Sequence, residues 1–270
     1  MTLLGNRYSK IVFYKMEGNG NDFVVIDNTS DVLEERVKSR FSQTLCDRRF
    51  GVGADGVIFI ERSELANYRM RLFNADGSEA EMCGNGIRCF AFFCSRVKGF
   101  GGDTLRIETG AGMIETWFEG DLIGLSVGEA DDKGNPLRDY DGVFVNVGVP
   151  HYVIMVEDVS AINVESLGKR IRYRKEFAEG TNVDFVEYVD EHTIKVRTYE
   201  RGVEAETLSC GTGAVASAYV VNAYGKCRFP VTVVNIGGKL RVDVKDNFEK
   251  RELLLFGKAR IVFKGEWIDE

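Results

Sequence analysis

The sequence is poor in the features that mark metal sites, redox sites and membrane proteins. It has only two histidines, His151 and His192, which argues against a histidine-rich catalytic metal site. Its six cysteines include no C-x-x-C pair, so zinc-finger and thioredoxin-like interpretations have no motif behind them. No apolar run approaches the roughly 20 residues that a membrane helix needs, and the first ten residues lack the apolar core of a signal peptide. We therefore expect a cytoplasmic protein with reduced thiols, and we interpret residues 1–10 as a loose extension.

An excess of positive charge is also missing. Lys and Arg number 35 against 42 Asp and Glu, which gives a net charge of −7. This balance suits a soluble protein and argues against nucleic acid as a partner, and we expect no membrane partner either. At 270 residues the chain could form one large domain or two of ordinary size.

Strand-like segments dominate the sequence. Many alternate between apolar and polar residues, as in T-I-K-V-R at 193–197, and short Gly or Asp turns between them favour antiparallel pairing. The predicted strands are 11–16, 22–27, 57–60, 68–73, 104–108, 112–118, 121–127, 143–147, 152–156, 183–189, 193–199, 231–235, 239–244, 252–256 and 260–263.

Helices are few. Ser30 or Asp31 can cap a helix whose apolar residues recur at every fourth position from 33 to 45. A second amphipathic helix is predicted at 161–172. Residues 87–94 and 214–221 are small or apolar nearly all round, which predicts two helices buried on every side.

Each predicted buried helix follows a cysteine in a C-G-x-G motif. The motifs read E-M-C-G-N-G-I-R-C at 81–89 and L-S-C-G-T-G-A at 208–214, and an echo between 20–27 and 181–189 also suggests duplication. We therefore predict an α+β fold of two similar domains, each mainly antiparallel strands wrapped around a buried central helix, with the active site in the cleft between them.

The polar stretch 129–141 is the best candidate for a domain boundary. The predicted domains are 11–128 with the C-terminal strand of about 259–270, carrying Cys83, and 129–258, carrying Cys210.

The segment G-V-G-A-D-G at 51–56 matches the dinucleotide pattern G-x-G-x-x-G. That pattern binds a dinucleotide only between a preceding strand and a following helix. Here a charged D-R-R-F precedes it and a strand-like V-I-F-I follows, so we interpret it as a glycine-rich loop.

Two cysteines at two helix starts can perform proton transfer. A helix N-terminus carries unpaired N–H groups and about half a positive charge. This field favours a nearby anion and lowers the pKa of a thiol from about 8.5 toward neutrality. If the halves face each other, one thiolate removes a proton from a carbon beside a carboxylate while the opposite thiol reprotonates the other face. The helix starts would stabilise the charge on the carboxylate, and the scheme requires no cofactor.

Each cysteine alone has a simpler interpretation as a small buried residue that caps a helix. The doubling of the motif with matched glycines favours the catalytic interpretation for Cys83 and Cys210. The other four cysteines, Cys46, Cys89, Cys94 and Cys227, are expected to be buried and inert.

The motifs resemble those of the diaminopimelate epimerase family, from about residue 11 to nearly the end of the chain. Besides the two cysteine motifs, the shared signatures in the family's order are G-N-G-N-D-F, D-R-R-F-G-V-G-A-D-G, F-N-A-D-G-S-E-A, G-V-P-H, G-T-N-V-D-F and Y-E-R-G-V-E-A-E-T. The resemblance implies a cofactor-independent isomerase that interconverts LL- and meso-diaminopimelate in lysine and peptidoglycan precursor biosynthesis, working as a homodimer.

The resemblance also implies the roles of individual residues. Cys83 and Cys210 would be the acid/base pair, and His151 and Glu200 would tune their titration. The residues implied in substrate binding are Asn21, Asn74, Gly84, Asn85, Asn182, Glu200, Arg201, Gly211 and Thr212.

These residue types suit such a substrate, because Arg201 offers a planar fork for a second carboxylate and asparagine offers both donor and acceptor. Singly, each has an ordinary alternative: the asparagines as turn or strand-end residues, His151 as a hydrogen-bonded histidine, and Glu200 with Arg201 as a solvated pair.

One departure concerns residue 149. Many family members have G-N-P-H where this chain has G-V-P-H at 148–151, and valine cannot supply the hydrogen bonds of that asparagine. Two alternatives to the epimerase stay open. One is a related cofactor-independent racemase acting on another amino acid, such as histidine or a proline derivative. The other is a thiol redox protein, which would work through a disulfide between Cys83 and Cys210.

Overall fold

The computed structural model describes residues 10–247 and 250–268. Contacts divide the chain into two compact units, the first reaching Leu125 and resuming at Lys258, the second Ser126–Gly257. Both are mostly strand with two α-helices each, so the predicted α+β class is confirmed. The loose extension expected at 1–10 lies outside the described residues, except for Lys10, which begins the first strand.

Unit 1 is a sheet with two helices, α1 (Glu35–Cys46) and α2 (Gly84–Arg96). The chain passes into unit 2 in the middle of β8 and returns for β18. The strands are β1 (Lys10–Gly18), β2 (Asn21–Asp27), β3 (Gly56–Glu61), β4 (Tyr68–Asn74), β5 (Glu79–Ala80), β6 (Thr104–Thr109), β7 (Gly112–Glu119), β8 (Leu122–Gly128) and β18 (Arg260–Ile268).

Most strand pairs of unit 1 are antiparallel, but two are parallel. β1 pairs with both β18 and β2, and β3–β4, β4–β5, β6–β7 and β7–β8 are also antiparallel. The parallel pairs are β2–β3 and β4–β6. Parallel neighbours need a long crossover, and α1 and α2 lie in these two connections. The short turns in the sequence could not reveal these pairs.

The sheet of unit 1 has a helix on each face. Along β3, Val57 and Phe59 pack in the cluster that contains α1 residues, while Ile58 and Ile60 pack in the cluster that surrounds α2. A strand covered on both faces reads as a continuous apolar run, which explains V-I-F-I. The burial predicted for the helix after Cys83 is confirmed.

Unit 2 is built in the same way, with the helices α3 (Val164–Arg172) and α4 (Gly211–Ala223). Eight residues of α4 are buried, as predicted for this segment. The strands are β9 (Asp131–Asp132), β10 (Gly142–Asn146), β11 (Pro150–Val156), β12 (Asn182–Asp190), β13 (Thr193–Glu200), β14 (Ala205–Thr207), β15 (Val231–Asn235), β16 (Gly238–Asn247) and β17 (Lys250–Gly257).

The two units repeat one order of strand pairings. In unit 2 the antiparallel pairs are β10–β11, β12–β13, β13–β14, β15–β16 and β16–β17. The parallel pairs are β11–β12, whose connection contains α3, and β13–β15, whose connection contains α4. This order matches β1–β2–β3–β4–β5 and β4–β6–β7–β8 in unit 1. The similarity of the halves is therefore a similarity of topology.

The sequence echo between 20–27 and 181–189 is wrong as an alignment of the repeats. It matches β2 with β12, whereas the pairing order makes β2 equivalent to β11 and β3 equivalent to β12. Both segments are buried strands that begin near an asparagine, and this shared local environment produced the echo.

The first helix begins later than its capping signal predicts. Its N-cap is Glu34, not Ser30 or Asp31. The Asn28 side chain accepts from Leu33 N (2.7 Å) and donates to Leu33 O (3.3 Å), which holds the intervening residues in a loop. The second predicted helix also starts later, at Val164, because the Asn163 side chain caps it through Ser166 N (2.9 Å).

Residues 51–55 form a loop after α1, and Gly56 begins β3, so the motif follows a helix and leads into a strand, the reverse of the dinucleotide arrangement. Gly51 is required there because a Cβ would lie 2.1 Å from Thr44 O. Within the described part of the chain, no helix is long and apolar enough to cross a membrane.

Candidate active site

Cys83 is the N-cap residue of α2 and is partly buried. Gly84 and Asn85 follow as the first two helical residues, whose N–H groups have no acceptor within the helix. A Cβ placed on Gly84 would meet no atom within 4 Å, so this backbone is open to a ligand. The helix start thus offers a thiol and accessible amides together.

Two asparagines surround the Cys83 thiol. Its sulfur donates to Asn21 Oδ1 at 3.6 Å, and Asn85 Nδ2 donates to the same oxygen at 3.3 Å. Asn21 Nδ2 donates to Asp55 Oδ2 at 2.6 Å. Because a carboxylate accepts only from the amide nitrogen, Asp55 fixes the Asn21 amide with its oxygen toward the thiol.

Asn74 lies apart from this network. It is the last residue of β4, and its side chain donates to Ser78 Oγ at 3.0 Å across the following turn. In this structure Asn74 makes the turn contacts that its sequence context favours.

Cys210 holds the equivalent position in unit 2, as the N-cap of α4. Only 6% of its surface is exposed. The sulfur accepts from Gly213 N at 3.4 Å and lies 3.5 Å from Thr212 Oγ1. The thiol therefore interacts with the first turn of its helix through both a backbone and a side-chain group.

A chain of polar groups, which begins at the partly exposed Thr212, extends from Cys210 to a buried carboxylate. Thr212 Oγ1 lies 3.0 Å from His151 Nε2, and His151 Nδ1 lies 2.6 Å from Asp184 Oδ2. Thr198 donates to the other oxygen of Asp184 at 2.6 Å. His151 and Asp184 have no exposed surface.

Asn182 determines the direction of these hydrogen bonds. Its Oδ1 accepts from Arg201 N at 2.8 Å, so its Nδ2 donates, to Pro150 O at 3.0 Å and toward His151 Nε2 at 3.4 Å. His151 Nε2 is then an acceptor and its Nδ1 carries the proton toward Asp184. Thr212 can donate to the imidazole and accept from the Cys210 thiol.

Asn182, Glu200 and Arg201 gather near the end of β13. The amide of Asn182 is occupied by protein groups, whereas the side-chain carboxylate of Glu200 accepts only from Thr207 Oγ1, at 2.8 Å, among the described residues. Arg201 donates to Glu179 O at 3.2 Å. Burial raises the pKa of Glu200, and the Asp184 charge adds to the increase, while the Thr207 hydrogen bond and His151 oppose it.

The pKa expected for a thiol at a helix start is wrong for Cys210. Burial raises the pKa of this thiol well above its ordinary value, and the charges of Glu200 and Asp184 raise it further. The hydrogen bonds with Thr212 and Gly213 only partly oppose this increase. Desolvation and the charges of two nearby carboxylates thus outweigh the helix field at Cys210.

The second glycine of each C-G-x-G motif serves packing. A Cβ on Gly213 would lie 2.5 Å from Asp184 Oδ1, and one on Gly86 would lie 3.1 Å from Met70 Cε. Packing therefore restricts the residue type at Gly86 and Gly213, whereas the space beside Gly84 is open. Gly213 instead allows the Asp184 carboxylate to approach the start of α4.

The other four cysteines are buried reduced thiols, as predicted: Cys46, Cys89, Cys94 and Cys227. Burial raises the pKa of Cys46 to about 11 and also raises the pKa of the other three. Among the described residues, no group of three or more His, Cys, Asp or Glu side chains could hold a metal ion.

Sequence reasoning missed two charged residues beside the cysteines, Asp184 and Arg88. Asp184 interrupts the apolar run V-D-F-V of β12, and Arg88 interrupts I-R-C-F-A-F-F in α2; both side chains are fully buried. A charge inside an otherwise apolar buried run was the signal that could have identified them.

Comparison with known proteins identifies the family. A family model described as diaminopimelate epimerase matches residues 13–130 and 143–262. The chain is 43% identical to the diaminopimelate epimerase of Methanocella arvoryzae over an alignment of 276 positions, which covers 96% of this chain and 97% of the relative. It is 42% identical to that of Archaeoglobus fulgidus, with 95% and 96% covered. This chain belongs to the diaminopimelate epimerase family. As a member of this family it is an isomerase.

Solved structures show the fold that the diaminopimelate epimerase family shares with other proteins. A phenazine biosynthesis protein of the PhzF family from Bacillus anthracis matches with a TM-score of 0.75 at 18% identity, covering 97% of this chain and 100% of that one. A hydroxyproline epimerase from Agrobacterium vitis matches with a TM-score of 0.68 at 11% identity, covering 98% and 94%.

Proposed function

We propose that this chain interconverts LL- and meso-diaminopimelate at one α-carbon, where either Cys83 or Cys210 removes the proton and the other cysteine delivers a new one. The observation that carries the proposal is that each cysteine begins a buried helix at the same place in the repeated topology. A thiolate on one cysteine removes the α-proton, and the thiol of the other reprotonates the opposite face. The reaction belongs to lysine and peptidoglycan precursor biosynthesis.

The helix starts provide the stabilisation that the reaction needs. Removing a proton next to a carboxylate places further negative charge on that group, and preorganised N–H donors lower the energy of this state. Gly84 and Asn85, together with Gly211 and Thr212, supply such donors in the proposal. The scheme needs no cofactor because both proton carriers are side chains.

The polar chain behind Cys210 gives it a way to exchange its proton. We assign His151 and Asp184 the role of adjusting the charge on Cys210 through Thr212, and Glu200 the role of holding Cys210 protonated in the free enzyme. The short contacts between successive members, 3.5, 3.0 and 2.6 Å, support this assignment.

The distal half of the substrate carries a second ammonium and a second carboxylate. In the proposal, Arg201 binds that carboxylate and Glu200 accepts from an ammonium. Asn21, Asn74 and Asn182 supply the remaining hydrogen bonds. Asn182 must give up a contact with Pro150 or Arg201 to bind substrate directly, or else act by holding Arg201 in place.

Turnover in deuterated water tests the proposal. With LL-diaminopimelate, we expect inversion at one α-carbon accompanied by incorporation of one solvent deuterium at that carbon. Inversion that retains the substrate α-hydrogen would overturn the two-thiol mechanism. Equal turnover of a mono-carboxylate amino acid would favour the related racemase. This alternative arises because Val149 cannot supply the hydrogen bonds of the asparagine that many family members have at this position.

We further propose that the enzyme is a cytoplasmic homodimer. β18 carries three apolar side chains that are about half exposed, Val262 (53%), Phe263 (46%) and Ile268 (56%), which supports a contact with a second copy. Light scattering of the wild type should give twice the monomer mass, and Val262→Glu should shift it toward the monomer. A monomeric wild type at micromolar concentration would rule this out.

A further inference from the structure

A fully buried guanidinium lies one turn into α2. Arg88 has no exposed surface, and it is the largest of the fully buried side chains among the described residues. Its Nη2 donates to Asn85 Oδ1 at 2.7 Å and to Asn19 Oδ1 at 3.0 Å, and its Nη1 makes a long contact of 3.4 Å with Gly84 O. All of these acceptors are neutral amide oxygens.

Stability does not explain this placement. Burying a charge without an ion-pair partner opposes folding, and a hydrophobic residue of similar volume would pack there at lower cost. The guanidinium also reaches back to Gly84 O, near the positive end of the helix dipole, which repels a cation. Moreover, Arg88 Nε has no hydrogen-bond partner within the described residues.

Hydrogen bonds connect Arg88 to the thiol of Cys83. Because Arg88 donates to Asn85 Oδ1, the Asn85 amide must present its Nδ2 on the other side, where it donates to Asn21 Oδ1. The same oxygen accepts from Cys83. Arg88 therefore orients one of the two amides that define the surroundings of the thiol.

Charge connects the two residues as well. Burial lowers the pKa of Arg88, while negative charge on Cys89, Cys83 or Glu17 raises it. The interaction is reciprocal, so the guanidinium favours a thiolate at Cys83. Glu17 also pairs with Arg260 at 2.6 Å. The Asn21 oxygen acts in the opposite direction by accepting from the protonated thiol.

We propose that Arg88 is a positioning residue for Cys83, which orients the Asn85 amide and supplies the buried positive charge that balances a Cys83 thiolate. The inference rests on the proposed acid/base role of Cys83. It adds a group that is neither a proton carrier nor a substrate ligand in the scheme above.

Alkylation of the free enzyme tests the proposal without turnover. Iodoacetamide reacts with thiolates, and peptide mapping between pH 6 and 9 follows Cys83 and Cys210 in the same sample. In Arg88→Met we expect Cys83 to react about tenfold more slowly at pH 7.5, the effect of moving its pH profile up by about one unit. Arg88→Lys should restore part of the rate because it keeps the charge.

Asn19→Asp provides a second variant that keeps Arg88 in place. Asn19 has a φ of 56°, a conformation that Asp tolerates, and its new carboxylate would neutralise the guanidinium. Cys83 should again react more slowly. The rate of Cys210 should be unchanged in every variant, and it serves as the matched control thiol.

An unchanged Cys83 rate in folded Arg88→Met, or in Asn19→Asp if the first variant does not fold, would overturn the proposal. An equal change at Cys83 and Cys210 would do the same, because it would show a general structural effect. The assay is independent of the proposed function: Cys83→Ala with full epimerase activity would remove the acid/base role and leave the alkylation result intact.

Discussion

Cys83 and Cys210 begin helices at equivalent places in two units of the same topology, yet the buried charges near them have opposite signs. Arg88 lies in the helix behind Cys83, whereas Asp184 and Glu200 act on Cys210 and raise its pKa. The repeated scaffold supplies a thiol at a helix start in both units. The difference between the thiols comes from single charged residues on the elements packed around each helix.

The largest expected effect is loss of either thiol. We expect Cys83→Ala and Cys210→Ala each to lower kcat by at least about 10³-fold, within the range that general acid–base catalysis contributes. Stereoinversion of LL-diaminopimelate measures the effect, and circular dichroism checks that each variant is folded. If either variant kept a tenth of the wild-type kcat, the two cysteines would not both be essential proton carriers.

The next effect concerns the carboxylate of unit 2. Asp184→Asn keeps the volume but removes the acceptor that holds the His151 proton on Nδ1, so we expect kcat to fall about 10²-fold with little change in KM. Asp139→Asn, a carboxylate of the same unit paired with Arg174, is the control and should keep full activity. If both variants behave alike, the chain behind Cys210 has no catalytic role.

The sign of the charge near Cys210 can be tested directly. Glu200 raises the pKa of this thiol, so Glu200→Gln should lower it and make Cys210 react several-fold faster with iodoacetamide near pH 8. A charge interaction of about 1 kcal/mol changes an equilibrium about fivefold. Glu191→Gln, at a residue on the turn before β13, should have no effect. Slower alkylation of Cys210 in Glu200→Gln would contradict the inference that the Glu200 charge raises the pKa of this thiol.

The smallest effect is on stability at high pH. Burial raises the pKa of Cys46 from 9.0 to about 11 and that of Cys210 upward as well. Above pH 9 the unfolded thiols lose their protons while the folded ones keep them. Cys46 therefore stabilises the fold fully below pH 9 and progressively less up to pH 11, and the contribution of Cys210 falls in the same direction as the pH rises. Each contributes a slope of at most about 1.4 kcal/mol per pH unit.

Urea unfolding under reducing conditions from pH 8 to 10.5 measures this slope. Cys46→Ala and Cys210→Ala should each reduce it relative to wild type, whatever their stability at pH 8. If the slope in Cys210→Ala equals that of the wild type, the folded-state pKa of Cys210 is not raised in the way that the pKa of Cys46 is.

The positions of the elements could be predicted well because they depend on local patterns. The apolar segments after the two cysteines became α2 and α4, and the alternating segments became strands. The start of α1 was wrong because the cap signal at Ser30 and Asp31 competes with Asn28, whose side chain binds Leu33 in both directions. Such a contact across five residues has no sequence signature of its own.

The chemistry of the site was predicted less completely. The cysteines and the helix starts are local features, and the sequence located them. The ionisation of Cys210 depends on Asp184, Glu200 and burial, which come from other strands and oppose the helix field. The role of Gly213 is likewise nonlocal, because the atom that requires a glycine there belongs to Asp184 on β12.

The pairing of β1 with β18 has a consequence for how the protein is made. Unit 1 needs a strand formed late in the chain: Glu17 and the residue it pairs with, Arg260, are 243 positions apart. Unit 2 is contiguous, from Ser126 to Gly257. During synthesis from the N-terminus, the second unit can therefore assemble completely while the first still has an open sheet edge at β1. The ribosome thus finishes the first half of the enzyme last.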